Sequence, residues 1–112
     1  MDGCIFCKIV AGEIPATVLY EDADHLAFRD LNPAAPIHAV LVPKRHWATL
    51  FDAPDTEAQG KLMQAACGAA RALGLDRSGF RVVANYGPDG GQEVMHVHYH
   101  IVGGRLLGWP PG

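Results

Sequence analysis

His96-Val97-His98-Tyr99-His100-Ile101 alternates an imidazole with a large apolar or aromatic side chain three times over. Val, Tyr and Ile favour the pleated backbone, where successive side chains point to opposite faces. The pattern predicts a strand over 93–102. Val97, Tyr99 and Ile101 face a core, and the three imidazoles share the other side. Neutral imidazole is a nucleophile, a proton carrier and a metal ligand near neutral pH. Three readings follow. One imidazole attacks a phosphorus or acyl centre while the others assist, a His-x-His pair holds a catalytic metal, or the row is a solvated strand face. Half of the chain's six histidines stand in this one row, which favours chemistry.

The length of 112 residues suits one domain with one core, and no linker or repeat divides residues 1–112. The formal net charge is −3 and no basic run exceeds Lys44-Arg45, which argues against a nucleic-acid partner. No apolar stretch approaches the length of a membrane span, and Met1-Asp2-Gly3-Cys4 has no basic start followed by an apolar stretch, so a cytoplasmic protein is expected. Three cysteines, an odd number, do not form a secreted disulfide framework.

Along the chain, Cys4–Ala11 reads as a short helix ended by Gly12. Thr17–Glu21 and His25–Asp30 read as a hairpin across Asp22-Ala23-Asp24, and the two prolines of Asn32–Pro36 make a rigid loop. His38–Pro43 reads as a strand buried on both faces. Asp52 or Asp55 caps a helix in which Leu62, Ala66, Ala69 and Leu73 recur at helical spacing, and Gly74 ends it. Phe80–Tyr86 is a further strand carrying Asn85, and Gly87–Gly91 a mobile loop. Residues 105–112 form an extended tail. The expected fold is α+β, an antiparallel sheet of about five strands with one long helix and a short N-terminal one. Cys67 is expected in the core and His25 on the surface.

Glycines at 87, 90 and 91 free backbone N–H groups to approach an anion, and beside three histidines they suggest a phosphate site. Cys4-Ile5-Phe6-Cys7 is a C-x2-C pair, which commonly donates two thiolates to zinc. Redox chemistry, or two half-buried thiols without a metal, are the alternatives.

The histidine row resembles the signature of the histidine triad (HIT) superfamily. Gly90-Gly91-Gln92-Glu93-Val94-Met95, Gly103-Gly104-Arg105 and the ending Trp109-Pro110-Pro111-Gly112 are similar to its HINT branch. The similarity continues upstream through Ala35–His38, Val42–His46 and Ile5–Ile9. It implies the HIT fold and a purine nucleoside phosphoramidase that cleaves P–N bonds through a nucleotidyl-histidine intermediate. It places the nucleophile at His98, a phosphate contact at His100 and orienting roles at His38 and His96. Asn85, Gly91 and Gln92 match the phosphate side, Asp30 a ribose acceptor, and Ile5, Phe6, Ile9, Phe28 and Leu31 an apolar slot for the purine. Glu93 departs from the serine of some HINT proteins, so a different leaving-group preference is expected. By resemblance, His46 and His96 join Cys4 and Cys7 around a structural zinc, no organic cofactor is involved, and the chain forms a homodimer. Trp109 would then reach toward the partner's site. A dinucleoside polyphosphate hydrolase, a non-catalytic purine-nucleotide-binding protein and a metal hydrolase remain as alternatives.

Overall fold

The computed structural model describes residues 3–112. Three sequence-local devices start the chain's elements. The Cys4 sulfur accepts the Cys7 N–H at 3.3 Å and opens α1 (Ile5–Val10). Asp22 Oδ1 accepts the N–H groups of Asp24 and His25, turning β1 (Val18–Glu21) into β2 (His25–Arg29) as an Asx turn. Asp55 accepts the Ala58 N–H at 2.8 Å and caps α2 (Thr56–Ala72). Asp52, the other candidate cap, closes a capping box with Thr49 over a short 3-10 turn at Leu50–Asp52.

β3 (Ile37–Pro43), α3 (Leu75–Ser78), β4 (Phe80–Val83), α4 (Gly87–Gly90) and β5 (Tyr99–Gly103) complete the element order. The five strands form one antiparallel sheet in the order β1-β2-β3-β5-β4. With the long helix α2 and the short α1, this is the α+β architecture expected.

α2 buries Leu62, Ala65, Ala66, Ala69 and Ala70, a stripe at helical spacing made mostly of small residues. It lies on the sheet face that carries Ala27, Ala39, Leu41, Tyr99 and Ile101. Gly68 allows this close approach, since a Cβ there would stand 2.9 Å from the Tyr20 hydroxyl. The opposite face packs Leu26, Phe28, Val40 and Val42 against Phe6 of α1. The site lies on this second face.

Several boundaries differ from expectation. Val97, Tyr99 and Ile101 are buried together as predicted, but pairing begins only at Tyr99. The Val97 N–H turns to the Trp47 carbonyl, the His96 carbonyl accepts the His98 ring, and the Pro43 carbonyl accepts the His96 ring. Backbone groups that a longer ladder would use are taken. β4 stops at Val83, so Asn85 lies beyond its end. Gly87–Gly91 is one helical turn rather than a loop, with Pro88 in the first turn and Gly91 at φ 75° closing it.

Two side chains are corrected as well. Cys67 is exposed, because it lies between the buried pairs of α2 on the outer face. His25 is buried, its Nδ1 paired to Asp22 at 2.9 Å. A satisfied imidazole tolerates burial, which its sequence neighbours do not reveal.

Candidate functional site

Two centres meet at the start of β5. In the first, the ligand atoms of Cys4, Cys7, His46 and His96 all lie within 4.8 Å of one another. His46 Nδ1 is 3.2 Å from His96 Nδ1, and sulfur–nitrogen separations are 3.3 Å for Cys4–His96, 3.4 Å for Cys7–His46 and 3.5 Å for Cys7–His96. Tetrahedral zinc bonds of ordinary length require edges of about 3.4 Å between nitrogens and about 3.6 Å between nitrogen and sulfur. The cluster fits that ion. The buried His96 Nε2–H donates to the Pro43 carbonyl at 2.8 Å, so the Nδ1 lone pair is left for the metal, the outer-shell arrangement of a ligating histidine. Without an ion, burial and the neighbouring Cys4 push the Cys7 thiol above its ordinary range; a dication reverses that.

The second centre is a cavity of about 440 Å³ between α1, the end of β2, and β5. Ile5, Phe6, Ile9, Phe28 and Leu31 line one part, and Asp30, Asn85, Gly91, Glu93, His98 and His100 another. Leu31 is 95 % exposed, so it is a rim residue and not core. Phe6 holds the His98 ring edge-on at 5.0 Å between centroids. The predicted slot and the predicted phosphate side therefore share one cavity.

Backbone partners assign the tautomers. His98 Nδ1 meets the His96 carbonyl at 2.8 Å and must carry the proton, leaving a lone pair on Nε2. His38 Nδ1 accepts the Ala34 N–H at 2.9 Å, so the His38 proton is on Nε2, where it donates to His100 Nδ1 at 2.8 Å. The remaining His100 proton is on its Nε2. Asp30 accepts the Asn32 N–H with Oδ1 and brings Oδ2 to 3.4 Å from His38 Nε2. Asp30, His38 and His100 are also close enough to surround an ion, but the Ala34 N–H keeps a proton on the nitrogen an ion would need. This group is a hydrogen-bond relay.

Burial lowers the pKa of His98. Burial, then the charges of His98 and His38, push His100 down to about 4. The unfolded chain, with His100 near 6.5, binds more protons than the native state between those values. Stability is therefore full above about pH 6.5 and falls as the pH drops toward 4, by roughly 3 kcal/mol from this residue. Urea midpoints at pH 7 and pH 4.5 check this. The loss should shrink in His100→Asn, and an unchanged loss would contradict the assignment.

Four of the predicted catalytic and nucleotide-binding residues stand apart from the cavity. His38 does not line it and reaches it through its hydrogen bond to His100. The His96 ring is committed to the Cys cluster and Pro43, and only its carbonyl touches the site. Gln92 donates to the Ala48 and Val94 carbonyls, pinning its loop. Trp109 is 81 % exposed, with Arg81 Cζ 5.8 Å from its ring centre. Conversely, Ile14, Pro15, Thr17 and Arg29 line the cavity unpredicted. They are brought there by the turn after α1 and by strand pairing, and no local pattern marks them.

The model of the HIT domain matches residues 11–107. The chain belongs to the HIT family. Among relatives, a 14 kDa zinc-binding protein of Brassica juncea is 49% identical over 112 residues, covering 96% of this chain and 98% of that protein. Protein HitA of Neisseria gonorrhoeae is 50% identical over 105 residues, 92% of this chain and 97% of that one. The crystal structure of a HIT family hydrolase from Legionella pneumophila Philadelphia 1 matches with a TM-score of 0.92 at 49% identity, covering 98% of this chain and all (100%) of that one. Homology to HIT-family hydrolases supports a hydrolase-type activity here. Among the described residues, no helix of this HIT protein is long and apolar enough to cross a membrane.

Proposed function

We propose that this HIT protein hydrolyses the P–N bond of purine nucleoside 5′-phosphoramidates, of the adenosine 5′-monophosphoramidate type, through a nucleotidyl-His98 intermediate. The observation that carries the reading is the His98 tautomer: a carbonyl-bound Nδ1–H and a lone pair on Nε2, in a cavity that also holds an apolar slot. The purine lies among Ile5, Phe6, Phe28 and Leu31. Asp30 Oδ2 accepts a ribose hydroxyl. Asn85 donates to the phosphoryl oxygens and His100 Nε2–H faces the scissile nitrogen, while the Gly91 N–H closes its own helical turn on the Gly87 and Pro88 carbonyls.

His98 Nε2 attacks the α-phosphorus as the P–N bond breaks and its electron pair passes to nitrogen. The new phosphoryl-imidazolium keeps its Nδ1 proton against the His96 carbonyl, a charge-assisted bond. The bound phosphate favours the charged form of His100, which gives its Nε2 proton to the departing nitrogen and is left with a lone pair there. Water then attacks the phosphorus as its proton passes to His100 Nε2, the bond to His98 breaks with its pair returning to His98 Nε2, and the nucleoside monophosphate is released. Zinc, when bound, supplies no chemistry to these steps; it holds His96 and thereby the carbonyl that orients His98. A homodimer and a cytoplasmic setting belong to the same reading.

Rapid quenching of the protein with an adenosine 5′-phosphoramidate, followed by peptide mass spectrometry, should find an AMP adduct on His98. Turnover of the P–N substrate should exceed that of diadenosine polyphosphates at equal concentration. No adduct, or faster P–O–P cleavage, would count against the phosphoramidase.

A further inference from the structure

His100 must change its hydrogen-bonding role during the reaction, and its resting partner cannot follow. At rest His100 Nδ1 accepts the His38 Nε2–H at 2.8 Å. Once His100 is charged, both of its ring nitrogens carry protons, the second taken up from water. After Nε2 gives its proton to the departing nitrogen, the proton that remains is on Nδ1. From charging until product release, an N–H of His100 therefore faces an N–H of His38. His38 cannot yield by moving its proton to its other nitrogen, because Nδ1 accepts the Ala34 N–H at 2.9 Å. Two donors so placed repel, and a buried N–H without an acceptor is costly.

Asp30 stands where an acceptor is required. Its Oδ2 lies 3.4 Å from His38 Nε2 and 4.0 Å from His100 Nδ1. A small rotation of the rings lets this one carboxylate oxygen, with two lone pairs, take both N–H groups. Oδ1 accepts the Asn32 N–H at 2.8 Å, which fixes the orientation of the carboxylate just past the end of β2. The other charged or titratable groups around His100 are His98, with ring centroids 5.1 Å apart, and Glu93, Arg29, Arg81 and Arg105 in the walls of the cavities that His100 lines. Among the described residues, Asp30 is the carboxylate within 4.0 Å of both His38 and His100. Burial and the charges of His98 and His38 disfavour a charged His100, and the Asp30 charge opposes them.

We propose that Asp30 is a positioning residue for the proton steps, its Oδ2 receiving the N–H groups of His38 and His100 whenever His100 holds a proton on Nδ1. The carboxylate assigned to the ribose thus has a second task, stabilising the form of His100 that serves the departing nitrogen and then the water. This inference rests on the phosphoramidase reading for the steps it serves.

The test uses Asp30→Asn, which keeps an oxygen for the Asn32 N–H but turns an amide N–H toward His38. A 2′,3′-dideoxyadenosine 5′-phosphoramidate lacks the ribose hydroxyls and so removes the sugar contact from both proteins. On this substrate kcat should fall as the pH rises and His100 loses its charge. In Asp30→Asn that limb should move down by about one pH unit or more, with kcat about tenfold lower on its alkaline side. Equal kcat and coincident pH profiles for the two proteins would confine Asp30 to the sugar and overturn the proposal. NMR titration of the His100 ring in the complex with 2′,3′-dideoxy-AMP needs no turnover. His100 should titrate about one unit or more lower in Asp30→Asn, and an unchanged titration overturns the proposal as well. Failure of every P–N substrate to turn over would remove the phosphoramidase reading, whereas the titration decides separately whether Asp30 stabilises charged His100.

Discussion

Replacing His98 by alanine is expected to cut turnover of an adenosine 5′-phosphoramidate by about a thousandfold or more. The AMP adduct should vanish with it. The nucleophilic step has one lone pair available to it, on His98 Nε2. His100 directs a proton into the site, and His96 is turned to the Cys cluster. Binding of AMP should persist, because the slot residues and Asp30 are untouched. The variant opens a cavity beside Phe6, whose ring contacts His98, so its urea midpoint must be measured alongside the rate. His98→Gln fills that space without a phosphorus nucleophile and should be equally inactive. Retained turnover in a folded His98→Gln protein would remove His98 as the nucleophile.

Cys4→Ser is expected to lose the metal and to destabilise the protein on the order of 4 kcal/mol, the range associated with losing a structural metal. Cys4 both caps α1 and stands 3.3 Å from His96 Nδ1, so helix and β5 entry separate together. Serine can still accept the Cys7 N–H as a cap, which isolates the metal contribution. Because the His96 carbonyl holds His98 in its tautomer, turnover should fall with metal loss, although no ligand lines the cavity through its ring. Metal content and urea midpoints, with and without a chelator, provide the measurement. A chelator should destabilise the unaltered protein and leave Cys4→Ser unchanged. Equal metal content in both proteins, or none in either, would refute the four-ligand zinc site.

Much of the site could be read locally. Alternation at Val97, Tyr99 and Ile101 indicated which side of the histidine segment enters the core, and burial follows it even where strand pairing is absent. The C-x2-C spacing pointed to two thiolates because one helical turn brings residues four and seven to the same end of α1. What could not be read locally was exposure set by a distant partner. His25 is buried because Asp22 satisfies it, while Cys67 faces outward through the rotational phase of α2. Gln92 matched a phosphate loop by position, but its amide is drawn to Ala48 across the fold.

The sequence by itself determined the α+β class, the histidine order and the C-x2-C pair, since each depends on spacing within a few residues. Tertiary structure alone decided the work of each histidine. Ring tautomers depend on which carbonyl or N–H lies opposite: Pro43 for His96, Ala34 for His38, and the His96 backbone for His98. Only the β3–β5 pairing brings His38 Nε2 to His100 Nδ1, and only the β5–β4 pairing sets Arg81 beside Val102. Those are contacts between chain segments far apart in sequence, and no local periodicity encodes them.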